Sequence, residues 1–251
     1  MRRMILLFIL CSLAVSGFSS DQQDNIVKAN KAYSAGSYSI AADLYEKVVK
    51  AGYEAPELFY NLGNSCFKMN DYARAILWYE RAKRLDPGNE DINFNLNVAS
   101  TKISDKIEPL PELFYKRWIN GLVQLFSVDA WASIGIFMFI AGLLFGLLYV
   151  ASRILILRKI GFWLAISLLF FATVSLLLAW SGYNFAKSTT EAIVFAPTIT
   201  VKSSPDEKST DLFVVHEGTK VKLLDNISGW FEIRIVNGSV GWLPASSLEK
   251  I

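Results

Sequence analysis

The chain has 251 residues, 53% of them hydrophobic, with 25 lysines and arginines against 23 aspartates and glutamates. That length suits one or two domains. The charge is evenly spread, with 11 basic and 13 acidic residues over 21–108 and 6 and 8 over 189–251, which excludes the basic patch that nucleic-acid binding needs. One histidine, two cysteines, and neither a phosphate-cradling glycine loop nor a nucleophile elbow leave no basis for expecting an enzyme, a cofactor or a metal site.

Residues 1–20, MRRMILLFILCSLAVSGFSS, run from a basic start through an apolar core into small residues. This is a secretory signal pattern, with cleavage expected between Gly17 and Asp21. An uncleaved anchor is the alternative. Phe8-Ile9-Leu10 ahead of Cys11 do not fit a lipid-attachment site. Once Cys11 leaves with the signal only Cys66 remains, and it reads as a small buried filler on a helix.

Residues 56–89, PELFYNLGNSCFKMNDYARAILWYERAKRLDPGN, read as two helices. Gly63 and Ala75 are small where the helices cross, and Phe59, Leu62 and Tyr79 fill the space beside them. Asp86-Pro87 stops the second helix. A shift of 34 residues toward the N-terminus gives a second copy at 22–55. Ala29 replaces Gly63, Gly36-Ser37-Tyr38 replaces Asn70-Asp71-Tyr72, and Ala41, Tyr45 and Val48 replace Ala75, Tyr79 and Ala82; Tyr53 stands where the proline would be. Residues 90–103, with Phe94, Leu96, Val98 and Ala99, read as a capping helix. The region 21–108 therefore resembles tetratricopeptide repeats. The resemblance implies a groove for peptides or protein segments, lined here by Ile26, Asn30, Tyr33, Tyr60, Asn61, Asn64, Phe67 and Lys68. The alternative is that these are solvated helix positions. Against it, Tyr33, Tyr60 and Phe67 would be costly apolar exposure if uncovered. Some relatives clamp a C-terminal carboxylate with paired asparagines and three cations. Asn30 and Asn61 supply the asparagines, but Ile26, Asp91 and Asn95 fall at the cation positions, so no such clamp is expected. Solenoids usually need about three repeats, so a pair with a cap points to support from a partner or a neighbouring copy.

Glu108-Pro109-Leu110-Pro111-Glu112 ends the helical region, and 109–128 reads as a linker and interfacial helix. Phe114, Trp118, Leu122 and Phe126 fall four apart on one face, with Lys116, Arg117 and Asn120 off it. Two uncharged runs follow, 23 residues from Ala130 to Ser152 and 27 from Ile160 to Ala186. A bilayer-crossing helix needs about 20 apolar residues, so the spans are expected at 130–152 and 160–183. Between them, Arg153 to Lys159 is expected as a seven-residue turn with three positive charges and none negative. Trp118 and Trp131 suit an aromatic belt at headgroup level. Export of 21–128, a basic turn inside and a second span outward place both soluble parts on the periplasmic side.

From 189 to 251 the pattern alternates apolar and polar residues. Lys220–Leu224 and Trp230–Ile235 are expected strands, and Asn237-Gly238 an expected two-residue hairpin turn. Val201-Lys-Ser-Ser-Pro205, Glu217-Gly-Thr219, Gly229-Trp230 and Gly241-Trp-Leu-Pro244 carry a resemblance to bacterial SH3-like barrels. Trp230, Trp242, Pro244 and Leu248 form a candidate ligand face. Leu248 stands where proline-binding relatives carry tyrosine, which argues against polyproline recognition. The favoured reading of the two tryptophans themselves is barrel core. His216 reads as a surface residue.

The fold class that follows is a multidomain membrane protein: an α-helical tetratricopeptide repeat domain, a two-helix transmembrane hairpin and a C-terminal all-β SH3-like barrel. Signal, two repeats, the Asp105–Glu112 segment, hairpin and barrel, in that order, resemble the BatE family of the Bacteroides aerotolerance (Bat) group. The resemblance implies an inner-membrane scaffold within an envelope complex linked to stress or oxygen tolerance. Its implied partners are other membrane Bat proteins, some with von Willebrand A domains. The alternative reading is an envelope sensor whose barrel binds cell-wall glycan or peptide.

Overall fold

The computed structural model describes residues 20–107, 114–123, 125–187 and 190–251. The signal pattern up to Ser19, the proline segment 108–113 and the side chains of Lys116, Arg117 and Asn120 lie outside the described residues. The chain divides into two compact units, Met1–Glu54 and Ala55–Ile251.

In the first unit α1 (Ser20–Ser34) and α2 (Tyr38–Lys50) form a helix pair. Ala29, Ala41, Ala42, Tyr45 and Val48 are buried. Gly36 turns the chain at φ +76, a conformation that costs glycine little.

The second unit opens with the other helix pair, α3 (Pro56–Lys68) and α4 (Tyr72–Leu85). Pro56 begins α3, where its missing N–H costs nothing. Asn70 makes the turn at φ +61, 34 residues after Gly36. Asp71 then caps α4, its carboxylate accepting from the Arg74 N–H at 3.1 Å. A Cβ placed on Gly63 would stand 2.7 Å from two ring carbons of Tyr79, so glycine sets the closeness of this crossing. The third helix, α5 (Glu90–Ser100), is capped by Asn89, which accepts from the N–H groups of Asp91 and Ile92. It ends three residues short of the expected 103. Ile92, Leu96 and Ala99 are its buried face, whereas Phe94 is 67% exposed. The reason is the 3.6-residue period, which puts 92, 96 and 99 on one side and 94 on the other.

A short helix, α6 (Phe114–Val123), precedes the two long ones, α7 (Val128–Ala151) and α8 (Leu155–Lys187). Both are long and apolar enough to cross a membrane. Their connection is only Ser152–Ile154, with the Ser152 hydroxyl accepting from the Ile154 N–H at 3.2 Å. The expected seven-residue turn is thus too long. Leu155 to Lys159 are helix-compatible residues, so Arg158 and Lys159 lie in the first turns of α8. The helices meet along small residues at heptad spacing: Gly135 and Gly142 on one, Ala165, Ala172 and Ala179 on the other, all buried. A Cβ on Gly135 would come within 2.9 Å of Leu176, and one on Gly161 within 2.9 Å of the Phe145 main-chain oxygen. The buried Ser175 hydroxyl donates to the Trp131 carbonyl at 2.6 Å. On α6, Phe114 and Trp118 are 78% and 76% exposed. Phe126 lies beyond the end of α6 and packs edge-on against Trp131 at 5.1 Å.

The last part is one seven-stranded antiparallel sheet in the order β3-β2-β6-β5-β4-β1-β7. Its strands are β1 (Glu191–Val194), β2 (Thr198–Lys202), β3 (Asp211–His216), β4 (Lys220–Ile227), β5 (Trp230–Arg234), β6 (Val240–Pro244) and β7 (Leu248–Lys250). The sheet wraps an aliphatic core of Ala192, Val194, Val201, Val215, Val221, Leu223, Ile233, Ile235 and Leu243. The two-residue turn with both φ values positive is Ser228-Gly229, between β4 and β5. At the expected Asn237-Gly238 turn only Gly238 has positive φ. There the Gly238 N–H donates to Ile235 and the Ile235 N–H to Ser239, which makes a three-residue loop with glycine at the left-handed position.

Candidate binding surfaces

Each helix pair carries the same two contacts, 34 residues apart. The Tyr45 hydroxyl donates to Asn30 Oδ1 at 2.6 Å, and the Tyr79 hydroxyl to Asn64 Oδ1 at 2.7 Å. Tyr33 meets Tyr38 edge-on at 5.3 Å, and Phe67 meets Tyr72 edge-on at 5.5 Å. In both pairs a first-helix residue is tied to the second helix of its own repeat. Burial pushes the Tyr45 phenol up to about 12, with a further push from Tyr33.

Of the expected groove residues, Ile26, Tyr33, Tyr60, Asn61, Asn64 and Phe67 are half-buried, while Asn30 and Lys68 are exposed. Tyr33 and Phe67 are already covered on one side, so they need no bound partner to hide them. The Asn95 amide donates to the Tyr60 hydroxyl at 2.9 Å and to Asn64 Oδ1 at 3.0 Å. A neutral amide network therefore occupies a position where a carboxylate clamp needs a cation.

On the sheet, residues 231, 233 and 235 and residues 241 and 243 point to the core side, so Trp230, Glu232, Trp242 and Pro244 alternate to the other face. Trp230 pairs with Pro244 and Glu232 with Trp242 across β5 and β6. Both tryptophans are half-buried and lie outside the enclosed core, which overturns their reading as barrel core. Leu248 is set apart from this face because it packs against the aliphatic core. The Lys202 ammonium, paired with Asp211, belongs to the residue opposite Trp242. Replacing Trp230 and Trp242 together with alanine is expected to leave the thermal melt of the barrel within about 1–2 kcal/mol of the parent, well below the about 3–5 kcal/mol of a core tryptophan. Retention on purified peptidoglycan should fall at least about tenfold if the face binds wall polymer.

A third surface joins the barrel to α4 and to the segment that follows α5, and no sequence pattern announced it. Asp105, 14% exposed, accepts from the His216 N–H at 2.8 Å and the Thr219 hydroxyl at 2.7 Å. Its other oxygen lies 2.6 Å from His216 Nδ1. His216 is therefore not a plain surface residue; it is held at this junction. Lys220 reaches Glu80 of α4 and Glu191 of β1, each at 2.9 Å. Arg81 donates to Glu249 at 3.1 Å and to the Lys250 carbonyl at 2.6 Å, and Arg84 donates to the Ile251 carbonyl. Gly218, at φ +84, lets the β3–β4 turn approach Ile103 and Ile76, and a Cβ there would stand 2.5 Å from Ile103.

Burial alone would raise the Asp105 pKa, but hydrogen bonds from Thr219 and His216 hold it below 3.8. For Lys220, burial lowers the pKa, and the carboxylates of Glu80 and Glu191 raise it by more, to a net value above 10.5.

No curated protein matches the chain. Residues 26–90 match the tetratricopeptide repeat family model and residues 197–249 match the bacterial SH3 domain model, so a helical repeat region and an SH3-like domain flank the two apolar helices.

Proposed function

We propose that this chain is a non-enzymatic scaffold anchored in the bacterial inner membrane, with repeats and barrel both on the periplasmic side. The contact of the barrel with α4 and with Asp105 carries this reading. Asp105 lies before the hairpin and His216 after it, so a pair of spanning helices must return the chain to the side it left. An antiparallel pair with a three-residue connection supplies that return. The outward apolar face of α6 suits the headgroup layer on the same side. Tetratricopeptide repeats and SH3 domains are typically non-catalytic, and the repeats bind protein segments. The groove residues Tyr60, Asn61, Asn64 and Lys68, with Ile26, Asn30, Tyr33 and Phe67, are the proposed contact set. The resemblance to the BatE family makes membrane Bat proteins with von Willebrand A domains the proposed partners. A second reading is supported by the Trp230–Pro244–Trp242 face: a sensor whose barrel takes cell-wall glycan or peptide.

The topology is tested by cysteine labelling in spheroplasts. Cys66 is buried and stays silent, and Cys11→Ser removes the other thiol. Lys102→Cys before the hairpin and Glu207→Cys after it are expected to react with an impermeant maleimide. Arg153→Cys should react only after permeabilisation. Opposite labelling of Lys102→Cys and Glu207→Cys would overturn the two-span hairpin.

A further inference from the structure

At the connection end of the hairpin, Tyr149 of α7 and Leu155, Arg158, Lys159, Phe162 and Trp163 of α8 line an open cleft of about 350 Å³. The Arg158 guanidinium lies 5.4 Å over the Tyr149 ring. Tyr149 and Phe162 stand 5.6 Å apart, and Phe162 and Trp163 5.5 Å. The floor is thus aromatic and the rim cationic. The sequence has no aspartate or glutamate between Asp129 and Glu191, so the hairpin's one carboxylate, Asp129, lies in the first turn of α7, at the opposite end from Arg153, Arg158 and Lys159.

A solvated basic turn would need only the charges. It would not need a guanidinium laid on an aromatic ring, nor a second cation at the next residue beside the same cleft. A ring under a guanidinium holds it in place, and a fixed guanidinium presents a planar fork of donors that matches a phosphate. Trp163 is 65% exposed next to this rim, and Val150, Leu155 and Ile156 are exposed around it. An anion that brings its own hydrocarbon satisfies both halves of such a site; a free anion satisfies one. We propose that this cleft binds the headgroup of an anionic phospholipid, with its phosphate between Arg158 and Lys159 and its acyl chains along the exposed apolar side of the hairpin. The proposal rests on the hairpin spanning the membrane.

The test uses the full chain purified in detergent and titrated with phosphatidylglycerol, with phosphatidylcholine as control, and bound lipid counted by native mass spectrometry. Saturable binding of phosphatidylglycerol is expected, preferred at least about tenfold over phosphatidylcholine. Arg158→Gln with Lys159→Gln should weaken it roughly 30-fold, from about a fivefold loss for each cation near an anionic lipid. Lys159→Gln alone, at an exposed position, should cost about fivefold and serves where the double variant does not fold. Tyr149→Leu keeps every charge and should still weaken binding several-fold. Equal binding of both lipids, or a preference that survives the double substitution, would overturn the proposal. An unchanged Tyr149→Leu variant would mean diffuse charge rather than a built cleft, and would also overturn it. So would displacement of the lipid by inorganic phosphate at equal concentration, which would make the site one for free anion. A chain that stays monodisperse without detergent would sink the membrane reading as well. Lost preference in a chain that still enters nanodiscs sinks only this proposal.

Discussion

Gly63→Leu is expected to unfold the second repeat and to release the barrel with it. The Cβ alone would lie 2.7 Å from Tyr79 Cδ1 and Cε1, before any branch is added. The ring cannot swing away, because Tyr79 is 1% exposed and its hydroxyl is held by Asn64 at 2.7 Å. The Tyr60 ring lies against it at 6.0 Å. Overpacking a close crossing typically costs about 1–3 kcal/mol, and loss of the Tyr79–Asn64 bond adds about 1 kcal/mol. A loss of about 2–4 kcal/mol is a large share of the stability of a small domain. The damage should spread, since Glu80, Arg81 and Arg84 of the same helix hold the barrel. Urea melts followed by far-UV circular dichroism should show an early helical transition absent from the parent. A midpoint unchanged from the parent would mean that the crossing is not as tight as described.

Asp105→Ala is expected to undock the barrel while both domains stay folded. The substitution strands the His216 N–H, the Thr219 hydroxyl and the His216 ring, all now served by one carboxylate. Hydrogen bonds to a charged group contribute about 1.5–3 kcal/mol each, and bonds sharing one acceptor are not additive, so a loss of about 2–4 kcal/mol of docking is expected. Spin labels at Asn97→Cys and Glu207→Cys should report a narrow distance distribution in the parent and a broad one in the variant. An unchanged distribution would mean that the junction is held without Asp105.

The same junction has a defined pH response. The Asp105 pKa is lower docked than free, so the docked form binds fewer protons. Its contribution is complete above pH 3.8 and is lost as pH falls through the docked value below it. Lys220 has the opposite sign, because its docked pKa lies above 10.5. Its contribution is complete below that value and is lost only as pH rises through the docked pKa. Neither group makes the docking sensitive across neutral pH.

The elements were legible in the sequence where one local rule governs them. Gly63 and Ala75 mark the helix crossing by size, and the 34-residue period aligns Gly36 with Asn70, both of which have positive φ. Uninterrupted apolar runs located α7 and α8, although charge misplaced their connection. Arg158 and Lys159 are compatible with a helix, so charge was a poor guide to where the helix begins. The hairpin seam of glycine and alanine at seven-residue spacing was not read from the sequence, because small residues are common throughout both apolar runs. Trp230 and Trp242 were ambiguous until the register set them beside Pro244 and opposite the aliphatic core. The junction left no local trace. Asp105 and His216 are 111 positions apart, and Glu80, Lys220 and Glu191 read singly as ordinary surface charges.

That junction also changes what the outer side of α4 can bind. The barrel is tethered to the helix it covers through the hairpin, so it faces α4 at an effective concentration set by that tether. Contacts too weak to hold two separate chains together suffice when one chain carries both. The barrel is in this sense a resident ligand. A rival for Glu80, Arg81 and Arg84 must match its affinity at that concentration.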